Sequence, residues 1–137
     1  MYLLDTNVVS ELRRRKPHGA VLAWLRTIPE STMHISAITL GELQAGVEKT
    51  RQIDQAKASE IEEWMDELAA RMKVLPADGP IFRRWAQLMH GQPDELIEDA
   101  IIAATAELHG FIVITRNVRD FETLGAKTFN PFNYRSE

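Results

Sequence analysis

Four short apolar runs and a shorter fifth punctuate the chain, and the stretches between them restrict the fold more than any other feature. The runs are Tyr2-Leu3-Leu4, MHIS at 33–36, KVLP at 73–76, FIVIT at 111–115 and a closing KTF at 127–129. Each has the length and the β-branched or aromatic content of a strand, and most end on a polar residue. Amphipathic segments lie between them. From Ile53 to Met72 the chain places Ile53, Ala56, Ile61, Trp64, Met65 and Leu68 at helical spacing, and similar patterns run from Ala20 to Ile28 and from Pro80 to Met89. Strands separated by helices predict parallel pairing, because a parallel neighbour needs a long crossover and a helix is the usual one. The expected fold is therefore α/β, a three-layer α/β/α arrangement around a central, mostly parallel sheet of four to five strands. In such sheets ligands bind beyond the carboxyl ends of the strands, so the polar residues just after each run are where chemistry is to be sought.

Size and composition narrow the class. With 137 residues, 45% hydrophobic and 26% charged, the chain suits one domain spanning 1–137 with a core of its own. No apolar run approaches the roughly 20 residues of a membrane helix, and Asp5 interrupts the N-terminal run too early for a secretory signal. The absence of cysteine excludes disulfides and thiolate zinc sites and fits a cytoplasmic location. A net charge of -4 means that any binding to nucleic acid depends on local basic patches or on bound cations.

Four places carry candidate chemistry. Asp5 directly follows the first strand and also stands where NVVSELRR needs an N-cap, so capping and ligation are both open at this residue. Glu42, in SAITLGELQAGVEKT, lies in the second turn of a helix capped by Ser36 and running to about Lys49. It shares a face with Ala45 and Gly46, small neighbours that suit a cleft; the alternative is a Thr39–Glu42 capping box. Asp99, in LIEDAIIAATAELHG, is the strongest signal, because its helix face continues through Ile102, Ala103 and Ala106. An ionised carboxylate there is costly unless paired or metal-bound, whereas Glu98 reads as solvated. In TRNVRDF, Thr115, Asn117 and Asp120 follow the fourth strand, where a polar turn with Asn117 as cap is the competing reading. A doubly wound sheet can gather all of these at one edge. Clustered carboxylates raise one another's pKa unless a cation neutralises them, and an oxygen-only donor set suits Mg²⁺ or Mn²⁺ and phosphodiester hydrolysis.

DTNVVSEL, SAITLGEL, EDAIIAATAELHG and TRNVRDF, in this order and down to the closing FNPF, resemble the PIN-domain family, most closely the VapC and FitB type of toxin ribonuclease of toxin–antitoxin pairs. The resemblance implies a Mg²⁺- or Mn²⁺-dependent endoribonuclease acting on RNA such as tRNA or rRNA. It further implies a homodimer, alone or within a larger toxin–antitoxin complex, inhibited by a cognate VapB- or FitA-like antitoxin whose C-terminal segment fills the acidic cleft. Carried over residue by residue, it gives Asp5, Glu42 and Asp99 as catalytic metal ligands. The fourth position is divided between Asp120, matching the TRNxxDF variant, and Asn117, a carbonyl donor where some relatives have aspartate. Thr6, Asn7, Thr115 and Arg116 are expected to contact the acids or the phosphate.

Other features are assigned less chemistry. The run RRRK at 13–16 is either a solvated helix end or a contact for an RNA backbone. Arg83 and Arg84 have no assigned role, the three tryptophans fall in helical core patterns, and the four histidines lack ligand spacing. Two rival readings stay open: a catalytically silent PIN-fold module that only binds a partner, and another Mg²⁺-dependent phosphate-ester hydrolase such as an aspartate-nucleophile phosphatase. The latter wants a second acid two residues after the first, where this chain has Asn7.

Overall fold

Strand β1 (Tyr2–Leu4) pairs on one side with β2 (Met33–Ser36) and on the other with β4 (Ile112–Ile114), both in parallel. The computed structural model describes residues 1–136 and completes the sheet with β3 (Lys73–Leu75) beside β2 and β5 (Thr128–Phe129) beside β4. The order is β3-β2-β1-β4-β5, and all four pairings are parallel. The chain thus winds outward from β1 to β3, then crosses back and winds outward the other way. The reversal falls between β1 and β4, and at such a point the connections leave in opposite directions and open a crevice beyond the carboxyl ends.

Helices cover both faces. On one lie α1 (Thr6–Glu11), α2 (Gly19–Leu25), α3 (Ala37–Arg51) and α4 (Gln55–Arg71), whose Val8, Val9, Val21, Trp24, Leu43, Val47, Met65 and Leu68 pack with Leu4, Ile35 and Ile114 of the sheet. On the other lie α5 (Gly79–Met89), α6 (Ile97–His109) and α7 (Val118–Thr123), packed on Leu3, Leu75 and Val113. Adjacent strand residues point to opposite faces, so Leu3 and Leu4 serve different cores. Helix α6 is the most enclosed of these elements, with every residue from Ala100 to Thr105 and also Ala106 buried. Its small alanines let it lie close against the sheet, and Gly110, at φ +73°, ends it in the left-handed conformation that glycine adopts most readily.

One expected pattern shifts. Ile53 is 91% exposed and Ala56 is also exposed, because Asp54 caps the helix at Lys57 N and α4 begins only at Gln55. Ile53 stands in the turn before the helix, and the buried stripe is Ala58, Met65 and Leu68 with Ile61 and Trp64 beside it. No helix among the described residues is long and apolar enough to cross a membrane.

Candidate active site

The β1–β4 pairing continues one residue past the strands, since Asp5 N–H donates to Ile114 O at 2.9 Å. This places Asp5 at the winding reversal and brings it against Thr115, which follows β4. The capping reading of Asp5 is realised, and its second carboxylate oxygen is turned to the site. It occupies the N-cap of α1, accepting from Thr6 N–H at 2.8 Å through Oδ1. Its Oδ2 accepts from the Thr115 hydroxyl at 2.7 Å and from Asn7 Nδ2 at 3.1 Å. An ionised carboxylate has about four acceptor positions, so three donors leave room for a further ligand. Asp5 is 4% exposed, and burial pushes its carboxyl up, opposed by Thr115, Thr6 and Asn7.

The residues beside Asp5 form a connected scaffold. Thr115 Oγ1 also accepts from Asn117 N–H at 2.9 Å, and Asn7 Oδ1 accepts from Arg116 N–H at 3.4 Å, so the turn after β4 is tied to α1 from both sides. Thr6 Oγ1 lies 2.9 Å from Glu42 Oε1 and 3.1 Å from Thr39 Oγ1. With one proton to give, Thr6 donates to the carboxylate, and the Thr39 hydroxyl supplies the other contact. Thr39 is fully buried and turned to Thr6, so the Thr39–Glu42 capping box does not form; Ser36 caps α3 instead, accepting from Ile38 N–H at 3.2 Å. Thr39 is a residue of the site that the sequence reading took only as a possible cap. Its one signal is its place three residues before Glu42.

Glu42 is half-buried. Its carboxyl is raised by burial first, with Thr6 opposing and Asp5 and Glu98 adding repulsion. Asp99, on the first turn of α6, is pushed up to about 7, by burial foremost and then by the charges of Asp5, Asp120, Glu42 and Glu98. Neither a hydrogen-bond donor nor a cation offsets that repulsion. Asp120, on the first turn of α7, is half-buried and within electrostatic range of Asp99, whereas Asn117 is exposed and its side chain makes no capping bond. The structure therefore gathers Asp5, Glu42, Asp99 and Asp120. Asn117 contributes its backbone N–H to Thr115. Glu98 is exposed, as its sequence suggests, yet its charge is felt at both Glu42 and Asp99. Arg116 is exposed and rests its guanidinium 3.9 Å from the Phe132 ring centroid.

These donors suit a hard divalent cation. All are oxygens, they repel one another, and Asp99 lacks any internal compensation. They are gathered without being closed around a point: among the described residues no three His, Asp or Glu side chains already stand as an ion-holding group. Holding an ion requires side-chain adjustment. His34 stays out of this set, buried on β2 with Nδ1 at 3.2 Å from Thr32 O and its ring against Phe111.

The fold and this acidic crevice define an α/β protein built to place carboxylates at a sheet's carboxyl edge. The sequence profile of the PIN domain matches residues 2–127, and the chain belongs to the PIN-domain family. It is 40% identical over 141 residues to the VapC ribonuclease Y4jK of Sinorhizobium fredii, covering 96% of this chain and 98% of that protein. The crystal structure of FitAcB from Neisseria gonorrhoeae is similar at TM-score 0.82 and 35% identity, over 97% of this chain and 99% of that one. A toxin–antitoxin complex from Klebsiella pneumoniae is similar at TM-score 0.66 and 27% identity, over 96% and 98% of the two chains.

Proposed function

We propose that this protein is the toxin of a toxin–antitoxin pair, an endoribonuclease that hydrolyses RNA phosphodiester bonds with the help of Mg²⁺ or Mn²⁺. The observation that carries the reading is the convergence of Asp5, Glu42, Asp99 and Asp120 on the winding reversal between β1 and β4, with the Asp99 carboxyl pushed up to about 7 and no cation among the described residues set against it. The ribonuclease named among its relatives and the toxin–antitoxin complex among its structural neighbours support the same reading. The cores on the two faces of one sheet support residues 1–137 as a single domain.

In this proposal Asp5, Glu42 and Asp99 hold the ion, with Asp120 completing the acidic group. The bound ion supplies polarisation of the phosphate and a more acidic water. The chain's own part is positioning and proton handling. Thr115, Asn7 and Thr6 fix the Asp5 carboxylate from three directions, and Thr6 also fixes Glu42, so the first two ligands are pre-oriented. Asp99, raised to about 7 without the ion, must give up its proton to hold it. Arg116, whose backbone N–H is bound to Asn7, follows Thr115 in the chain and suits a flanking phosphate, since guanidinium groups bind phosphate in bidentate fashion. An acidic crevice also fits a basic segment of an antitoxin, which would exclude both ion and RNA.

The test is cleavage of purified total tRNA and ribosomal RNA by the partner-free protein, with Mg²⁺ or Mn²⁺, with EDTA, and with Asp99→Asn. Discrete fragments that require the ion and vanish in the variant are expected. Cleavage that persists in EDTA, or undiminished in the variant, overturns the assignment of the acids; a folded, ion-binding protein that cuts neither RNA favours the silent partner-binding module.

A further inference from the structure

The basic run after α1 does not dissolve into solvent. Arg13, Arg14 and Arg15 line a cavity of about 650 Å³ together with Lys57, Glu60, Ile61 and Trp64 of α4. The loop bearing the arginines is pinned from within. Glu11, only 4% exposed, accepts from His18 N–H at 2.9 Å and pairs with Arg14 at 3.3 Å, which fixes both ends of the 12–18 segment. Arg14 is thereby partly neutralised. Arg13, Arg15 and Lys57 are exposed, and none forms an ion pair among the described residues. Against the single acid Glu60, the cavity keeps a local positive excess on a chain of net charge -4.

Contacts link this cavity to the acidic crevice. Arg116, beside the crevice, lies on Phe132; Phe132 meets the His18 ring edge-on at 5.1 Å; His18 is bound to Glu11, and Glu11 to Arg14 in the cavity wall. Cationic and aromatic side chains in alternation are what single-stranded nucleic acid binds, phosphates on the cations and bases on the rings.

We propose that the cavity between the 13–15 loop and α4 is a second seat for the substrate, holding a phosphate of single-stranded RNA away from the cleavage point on Arg13, Arg15 and Lys57, with Arg116 and Phe132 as the track between. The proposal rests on the reading of this protein as a ribonuclease. Guanidinium-rich walls favour RNA over a polypeptide occupant, because phosphates repeat along the strand and each can take a bidentate pair of donors. Trp64 offers its partly exposed face to a base while the rest of the ring stays in the core.

The experiment uses the full chain and a fluorescein-labelled 12-nucleotide oligouridylate, with EDTA present so that nothing is cut. Anisotropy titrations across a salt series compare the parent with Arg13→Gln/Arg15→Gln/Lys57→Gln and with Arg26→Gln/Lys49→Gln/Lys127→Gln, which removes the same charge at other exposed positions. The slope of log Kobs against log salt is expected to fall by about 0.7 in the cavity variant, the value for one phosphate contact on a single strand, and to change little in the control. In tRNA cleavage with Mg²⁺ the cavity variant is expected to raise KM and keep kcat. Equal slopes and equal KM for the two variants, in a parent that cuts RNA, overturn the second seat and leave the nuclease standing. A parent that neither binds the oligomer nor cuts tRNA or ribosomal RNA overturns both.

Discussion

Asp99 is the residue whose environment makes the sharpest prediction. Its folded-state pKa of about 7 lies above its ordinary value of 3.8, so the folded protein holds this proton where the unfolded chain has lost it. Stability then falls as pH rises from about 4 to 7 and levels off above, because ionisation is disfavoured only in the fold. In EDTA, Asp99→Asn is expected to melt above the parent, with the gap opening across that window and constant beyond pH 8; parallel melting profiles would contradict the assignment. Added Mg²⁺ is expected to stabilise the parent more at pH 8 than at pH 5.5, since binding must displace the proton. Thr115→Val removes a donor to buried Asp5 and an acceptor for Asn117 N–H. The expected cost is roughly 1–3 kcal/mol in urea unfolding, with ion affinity down roughly 10–100-fold by titration. Asp5, Glu42 and Asp99 were legible because a carboxylate after a strand or on an apolar helix face needs a reason. Thr39 and Glu11 were not, because a threonine early in a helix and a glutamate at a helix end are ordinary until long-range packing buries them.

Among the elements, the five strands and the helices around them follow from alternating periodicities, and their boundaries were less legible. The stripe beginning at Ile53 and Ala56 fails at its amino end because Asp54 starts the helix, and an aspartate capable of capping outweighs one apolar residue before it. Helix α6 carries the strictest constraint. Ala103→Leu, at a position 1% exposed, is expected to cost about 1–3 kcal/mol by overpacking, whereas Ala56→Leu on α4 should stay within roughly 0.5 kcal/mol in the same urea titration. Gly110→Ala is expected to cost on the order of 1–2 kcal/mol, because the left-handed turn at φ +73° ends α6 just before β4.

Viewed as a whole molecule, the chain reconciles a net negative charge with the proposed RNA substrate by separating the signs: acids at the winding reversal, arginines on the 13–15 loop. Expression of the protein alone is expected to arrest growth and Asp5→Asn to relieve the arrest at equal protein level; arrest by the variant would remove Asp5 from the mechanism. The sheet order has one more consequence. Asp5 is completed by Thr115, 110 positions later, and β1 gains its second neighbour only when β4 arrives. At roughly 5–20 residues per second, some 5 to 20 seconds of synthesis separate the two. A nascent chain released or stalled before β4 carries the first acid without its hydroxyl partner or its sheet neighbour, and in RNA cleavage assays such fragments are expected to be inert. Built this way, the chain cannot assemble its acidic crevice until the fourth strand is made, and the order of synthesis sets the order in which the site becomes whole.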